Sequence, residues 1–212
     1  MNIESSRQNY DAGSIEISAF PTDPVEALQS WIDEAYARNA AGEANAMTLA
    51  SVDAEGAPSA RVVLLRGLDA RGLVFFTSYF SRKGRDFEKN PRVAAVFYWP
   101  ELSRQARVEG VVSTLSEDES DAYFAARPRG HQLSAWASEQ SEPIESRETL
   151  DERLAHFDER FEGDEVPRPH SWGGYLIVPS RFEFWQGRPN RMHDRLVFAR
   201  EGRAWRRNRL QP

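Results

Sequence analysis

From residue 23 onward the chain switches between two hydrophobic periods. Leu28, Trp31, Ile32 and Ala35 recur at helical spacing. Ahead of them Asp23 serves as N-cap, Pro24 takes the first helical position and Glu26 completes a start like a capping box. After GEAN the period drops to two. AMTLASV, SARVVLL and GLVFFTS read as strands, separated by DAEGAP and GLDARG, both with turn chemistry. SRKGRDFEKN predicts a short helix capped by Ser81, and PRVAAVFYW another strand. SRQARVEGVVSTL is a long strand in which Gly110 marks a bulge.

Ser116 and Glu119 form a capping box for a helix through Tyr123 and Phe124 that ends at Arg127-Pro128. HQLSAWAS gives a further helical piece. SRETLDERLAHFDERFEG is amphipathic, with Leu150, Leu154, Phe157 and Phe161 on one face. WGGYLIVPSRFEFW returns to strands, QGRPN turns, and RMHDRLVF alternates again. A strand there puts Arg191, His193 and Arg195 on one face and Met192, Leu196 and Phe198 on the other, with Asp194 the exception on the apolar side. Residues 1–20 are polar and read as a flexible arm, and 21–212 as a single domain. Sequential strands with helices as excursions predict an α+β fold on an antiparallel barrel.

Composition narrows the function classes. The 212 residues are 40% hydrophobic and 28% charged, ordinary for a globular chain. A net charge of −6 argues against a general nucleic-acid binder, although 27 basic residues leave room for local anion pockets. With no cysteine there is no disulfide, thiolate site or cysteine nucleophile. His131, His156, His170 and His193 show no metal-ligand spacing. The first residues lack the pattern of a signal peptide and no stretch is long enough to span a membrane, so a cytoplasmic protein is expected.

Four clusters carry candidate chemistry. Arg191, His193 and Arg195 repel one another unless an anion or polar ring covers them; a solvated edge strand is the other reading. Arg61 and Arg66 bracket the strand RVVLLR and project to opposite faces, where both can instead snorkel to water. Ser81, Arg82 and Lys83 open a helix, an end that favours an anion and disfavours unpaired cations, so a phosphate site competes with a plain exposed helix start. Tyr123 and Arg127, four apart, share a helix face, with Arg129 and His131 following. A phenol beside a guanidinium suits a phosphate ester, and basic residues at a helix C-terminus are the alternative. No P-loop, carboxylate pair or Ser/His/Asp arrangement is present. Such an inventory fits a protein that positions a phosphorylated cofactor and substrate.

With these residues in hand, the chain resembles the pyridoxamine 5′-phosphate oxidase family. RVVLLR, FFTSYFSRKG, RQARVEG, YFAARPR, SEQS, FEFWQGRPNRMHDR and the terminal RLQP match in order, from about residue 7 to the C-terminus. The resemblance implies a split β-barrel with flanking helices, working as a homodimer with FMN at the interface. Arg61, Arg82 and Lys83 would hold the FMN phosphate and ribityl region, with Val62, Phe76 and Thr77 along the flavin. Gln105, Gln140, Ser141, Trp185 and Arg195 would complete the cofactor site, some from the second chain. Arg66, Tyr123, Arg127 and His131 would meet the substrate phosphate. Arg191 and His193 would act on the pyridine ring as the catalytic pair, and Arg7 with Tyr10 would close the site.

The implied reaction oxidises pyridoxamine or pyridoxine 5′-phosphate to pyridoxal 5′-phosphate, with dioxygen as acceptor and hydrogen peroxide as product. Arg66 stands where the family commonly has Lys, and His131 where it commonly has Ser. These departures leave room for a flavin oxidase of the phenazine-biosynthesis type, or for a non-catalytic flavin- or pyridoxal-phosphate-binding protein.

Overall fold

The computed structural model describes residues 10–39 and 42–212. Its first helix, α1 (Pro24–Ala37), begins where the sequence expects. The Asp23 carboxylate accepts from Val25 N, and Leu28, Trp31, Ile32 and Ala35 face inward. The next strands are β1 (Ala46–Val52), β2 (Pro58–Leu64), β3 (Gly67–Asp69) and β4 (Gly72–Ser78). The short β3 occupies part of GLDARG, which the sequence marks only as a turn. Helix α2 (Arg82–Lys89) starts at the Ser81 cap, followed by β5 (Arg92–Trp99) and β6 (Arg104–Thr114).

Helices α3 (Glu117–Ala125), α4 (Arg129–Ala137) and α5 (Arg147–Arg160) come next, then β7 (Trp172–Gln186), β8 (Asp194–Glu201) and β9 (Ala204–Leu210). The Ser116/Glu119 capping box forms in full. Every strand pairing is antiparallel. The order is β2-β1-β5-β6-β7-β4-β3, with β8 on β7 and β9 on β8.

The 15-residue β7 curls the sheet into a split barrel. Its first half pairs with β4 and its second half with β8, while β6 runs along the other edge. The register of β6 against β7 shifts between Glu109 and Gly110, opposite Pro179, which has no ladder N–H to offer. Gly110 is required there, since a Cβ would lie 2.3 Å from Val178 O.

Two apolar clusters follow. The larger fills the barrel with Met47, Leu49, Phe75, Phe97, Phe182, Phe184 and Phe198, closed by Leu28 and Trp31 of α1. The smaller joins Phe124, Leu133, Phe161, Val166 and Trp172 under the three later helices, with Phe76, Tyr123, Leu154 and Phe157 packed on it. Residues grouped by composition with the arm also contribute to the larger core. Ile15 is buried, and its N–H donates to the Asp194 carboxylate at 3.1 Å.

Three sequence expectations need correction. Strand β8 starts at Asp194, not at Arg191. Residues 189–191 form a 3-10 turn in which Asn190 (φ 56°) and Arg191 (φ 59°) are both left-handed, so strand alternation does not reach Arg191. Met192, expected on the apolar face, is 67% exposed. Strand β2 likewise ends at Leu64. Arg66 N then bonds Val74 O, and the opposite-face argument for Arg61 and Arg66 fails at that bend.

Candidate active site

Where the barrel meets the helical cluster lies a cavity of about 950 Å³. Among the described residues its wall contains Arg61, Arg66, Arg82, Lys83 and Arg127, five cations and no carboxylate, in a chain whose net charge is −6. Val62, Phe76, Thr77, Tyr123, His131, Gln140 and Ser141 line it too. Twelve of the residues singled out by sequence thus meet in one place.

The first group of cations is held by polar relays. Arg61 Nη1 donates to Ser51 Oγ (2.7 Å) and Nη2 to Ser59 Oγ (2.5 Å). Both hydroxyls donate onward to Oδ2 of Asp86, itself buried on α2 and 3.9 Å from Arg61. Lys83 is 7% exposed although it sits in the first turn of α2. Its ammonium reaches Thr77 Oγ1 (2.9 Å), Gln140 Oε1 (3.0 Å) and Ser81 Oγ (3.1 Å), all neutral. Burial pushes the Lys83 amine down to about 8, the Arg61 charge adds to this, and Asp86 opposes it. Arg61 is lowered by burial, with Asp86 opposing and Arg82 adding to the fall.

The second group is Arg66, Tyr123, Arg127 and His131. Helix α3 ends before Arg127, whose N–H closes a turn onto Phe124 O, so helix spacing is not what brings Arg127 beside Tyr123. The Arg127 guanidinium lies over Trp172, 4.4 Å from the ring centroid, and near Phe124 at 5.5 Å. Tyr123 stacks on Phe76, centroids 3.6 Å apart, with Trp172 parallel beyond them. Among the described residues, Arg127 Nη1 is the buried side-chain donor without a hydrogen-bond partner. Burial lowers the Arg127 pKa, Tyr123 opposes this and Arg66 adds to it. The repulsion felt by each shifted cation comes from its own group, as expected of two separate cationic clusters.

Gln105, Trp185, Arg191, His193, Arg195 and Tyr10 do not line this cavity. They gather elsewhere. Gln105, Trp185 and Arg195 stand opposite one another across β6, β7 and β8, and Tyr98 of β5 extends the row. Arg195 donates to Oε1 of the buried Glu183 (2.9 Å and 2.8 Å) and to Gln211 O. Tyr10 and His193 pack on Trp185, at 5.6 Å and 4.8 Å between centroids. Arg7 lies outside the described residues.

Sequence reasoning missed Ser51, Ser59 and Asp86 behind Arg61, Trp172 under Arg127, and Glu183 behind Arg195. Only the buried carboxylate of the FEFW strand left a signal, a charge at an otherwise aromatic stretch.

A split barrel enclosing a carboxylate-free cavity with two cation groups defines a receiver of anionic ligands, large enough for more than one. Comparison with known proteins identifies which receiver. The pyridoxamine 5′-phosphate oxidase family profile matches residues 32–159. The profile of the pyridoxine 5′-phosphate oxidase C-terminal dimerisation region matches residues 172–212. The chain is 59% identical over 212 residues to the pyridoxine/pyridoxamine 5′-phosphate oxidase of Rubrobacter xylanophilus, covering 100% of this chain and 97% of the relative. It is 52% identical to the enzyme of the same name from Bordetella avium, with both chains covered in full.

Among solved structures it superposes on PhzG from Burkholderia lata 383, in complex with tetrahydrophenazine-1-carboxylic acid. The TM-score is 0.87 at 30% identity, over 94% of this chain and 100% of that one. A pyridoxamine 5′-phosphate oxidase-related FMN-binding protein from Nostoc punctiforme shares the fold (TM-score 0.69, 18% identity, 87% of this chain and 96% of that one). The chain belongs to the pyridoxine/pyridoxamine 5′-phosphate oxidase family.

Proposed function

We propose that this protein oxidises pyridoxamine 5′-phosphate or pyridoxine 5′-phosphate to pyridoxal 5′-phosphate, with FMN as its cofactor. The observation that carries the reading is the cavity wall: five cations, no carboxylate, in two groups. Two phosphorylated ligands, one per group, would neutralise it. The donor set fits FMN, since Arg61, Arg82 and Lys83 offer charge-assisted bonds to a phosphate, and no dinucleotide fingerprint is present in the sequence. FMN, when bound, supplies a two-electron acceptor that dioxygen reoxidises to give hydrogen peroxide.

The protein's own contribution is binding and orientation. Asp86, through Ser51 and Ser59, fixes the Arg61 fork, and Thr77, Ser81 and Gln140 hold the Lys83 ammonium in place. Arg66, Tyr123, Arg127 and His131 take the substrate phosphate, with the free Nη1 of Arg127 awaiting an acceptor. The aromatic stack of Phe76, Tyr123 and Trp172 backs that wall. Holding the reacting carbon in one alignment removes much of the entropic barrier.

The second cluster would complete the cavity across a homodimer, each protomer lending Gln105, Trp185, Arg191, His193 and Arg195 to its partner. Two observations support this: four of those five fall within the match to the dimerisation region, and Val62 and Tyr98 leave apolar surface 65% and 53% exposed.

The test is oxygen consumption and peroxide formation by the FMN-loaded protein with each phosphorylated vitamer. Absence of turnover with both overturns the reading. Oxidation of a phenazine precursor is a second reading, favoured by the superposition on PhzG. A tricyclic carboxylate lacks a phosphate for the Arg66/Arg127 group, so turnover of tetrahydrophenazine-1-carboxylic acid alone would select it.

A further inference from the structure

His193 sits at the end of the turn that reaims the chain between β7 and β8. Its Nδ1 lies 3.1 Å from the backbone N of Arg188, which points its hydrogen at the ring. An amide N–H has no acceptor capacity, so Nδ1 must present its lone pair. A ring with Nδ1 bare carries its proton on Nε2 whenever it is neutral. Rotating the ring by half a turn would set a carbon against the amide and orphan a half-buried donor.

The surroundings favour the neutral ring. Tyr10 and Trp185 cover it at 5.6 Å and 4.8 Å, and the charge of Arg191 lies close by. The adjacent carboxylate in sequence, Asp194, is engaged by Ile15 N, Arg188 and Arg209. Burial, followed by the Arg191 charge, lowers the His193 pKa.

We propose that His193 enters the reaction as a neutral imidazole whose Nε2–H donates to an acceptor atom of the substrate, and that it is not the base that removes a proton. The Arg188 amide is the positioning group that fixes this tautomer. Taking up a proton would need Nδ1, which faces the backbone, or Nε2, which is already protonated. The substrate's own proton therefore leaves by a route other than this ring. The inference rests on the reading of the protein as a vitamer oxidase only for the identity of the acceptor; the tautomer is a property of the protein itself.

The experiment is nitrogen-15 NMR of the FMN-loaded protein labelled at histidine, with His193 assigned by loss of its signals in His193→Gln. Near neutral pH the expected pattern is a protonated Nε2 and a bare Nδ1. A bare Nε2 or a charged ring overturns the proposal, and the readout requires no turnover. Kinetics add a second arm. Glutamine carries a donor near the Nε2 position but takes no proton. His193→Gln should therefore recover about tenfold in kcat/KM relative to His193→Ala. If the two variants are equally impaired while flavin content is retained, the donor role is wrong.

Discussion

Replacing Arg127 by alanine is expected to separate substrate binding from folding. In the protein without ligands, the guanidinium has two opposing effects. Its contact with the Trp172 face contributes about 0.5–2 kcal/mol. Leaving Nη1 buried without a partner costs about 1–3 kcal/mol. The two nearly cancel, so Arg127→Ala should leave the unfolding free energy within ~1 kcal/mol of the parent. On the proposed reading the substrate phosphate would remove the cost, because Nη1 would then have an anionic acceptor.

Loss of one such charge-assisted bond is worth roughly 1.5–3 kcal/mol. KM for pyridoxamine 5′-phosphate should therefore rise about ten- to a hundredfold, at ~1.4 kcal/mol per decade. FMN content should barely change, since Arg127 stands with Arg66 and not with Arg61 and Lys83. Steady-state kinetics, flavin absorbance and denaturant unfolding of the ligand-free form measure all three. A loss of more than ~2 kcal/mol in stability with KM unchanged would make Arg127 a structural residue. Loss of flavin with KM unchanged would refute the division into two phosphate sites.

Lys83 should make FMN binding weaken above pH 8, by up to about tenfold per pH unit in the limit where only the ammonium form binds. The ligand-free protein responds with the opposite sign. Its folded-state pKa is depressed from 10.5 to about 8, so the charging penalty is full below 8 and is relieved as pH rises toward 10.5. Fluorescence titration of FMN against pH checks the first effect, a flat affinity would contradict it, and Lys83→Met should abolish the dependence. Arg191→Ala should lower kcat more than it raises KM if Arg191 aligns the substrate from its left-handed turn; a pure KM effect would argue otherwise. Gly110→Ala should cost about 1–3 kcal/mol by driving a methyl onto Val178 O, as read by thermal unfolding. Solution mass with FMN bound should be that of a dimer; a monomer with full flavin occupancy would mean that one chain supplies every contact.

Much of the secondary structure was written locally. The Asp23 and Ser81 caps, the Ser116/Glu119 box, the alternating runs of β1 and β5 and the apolar run of β4 depend on neighbours within a few residues, and each formed where its residues placed it. The register break beside Gly110 was legible too, since glycine in a strand interior signals a close backbone approach, although the extra residue, Ser180, lies on β7. Local pattern failed where the chain bends. Arg66 and Arg191 sit beyond strand ends, and a period of two has no authority past a strand's end, least of all at Arg191, where φ is positive.

Twelve residues named through the family motifs line one cavity, but how that cavity is built was not legible in the sequence. That Asp86 of α2 steadies Arg61 of β2 through two serines, that Trp172 carries Arg127, and that the predicted contacts divide into a cavity and a separate row on β6, β7 and β8 are facts of long-range packing. Burial strips water from a charge and thereby decides which cation is left needing an anion. Burial is set by residues distant in sequence, so only the tertiary structure could show that Lys83 and Arg127 are charged groups taken out of water.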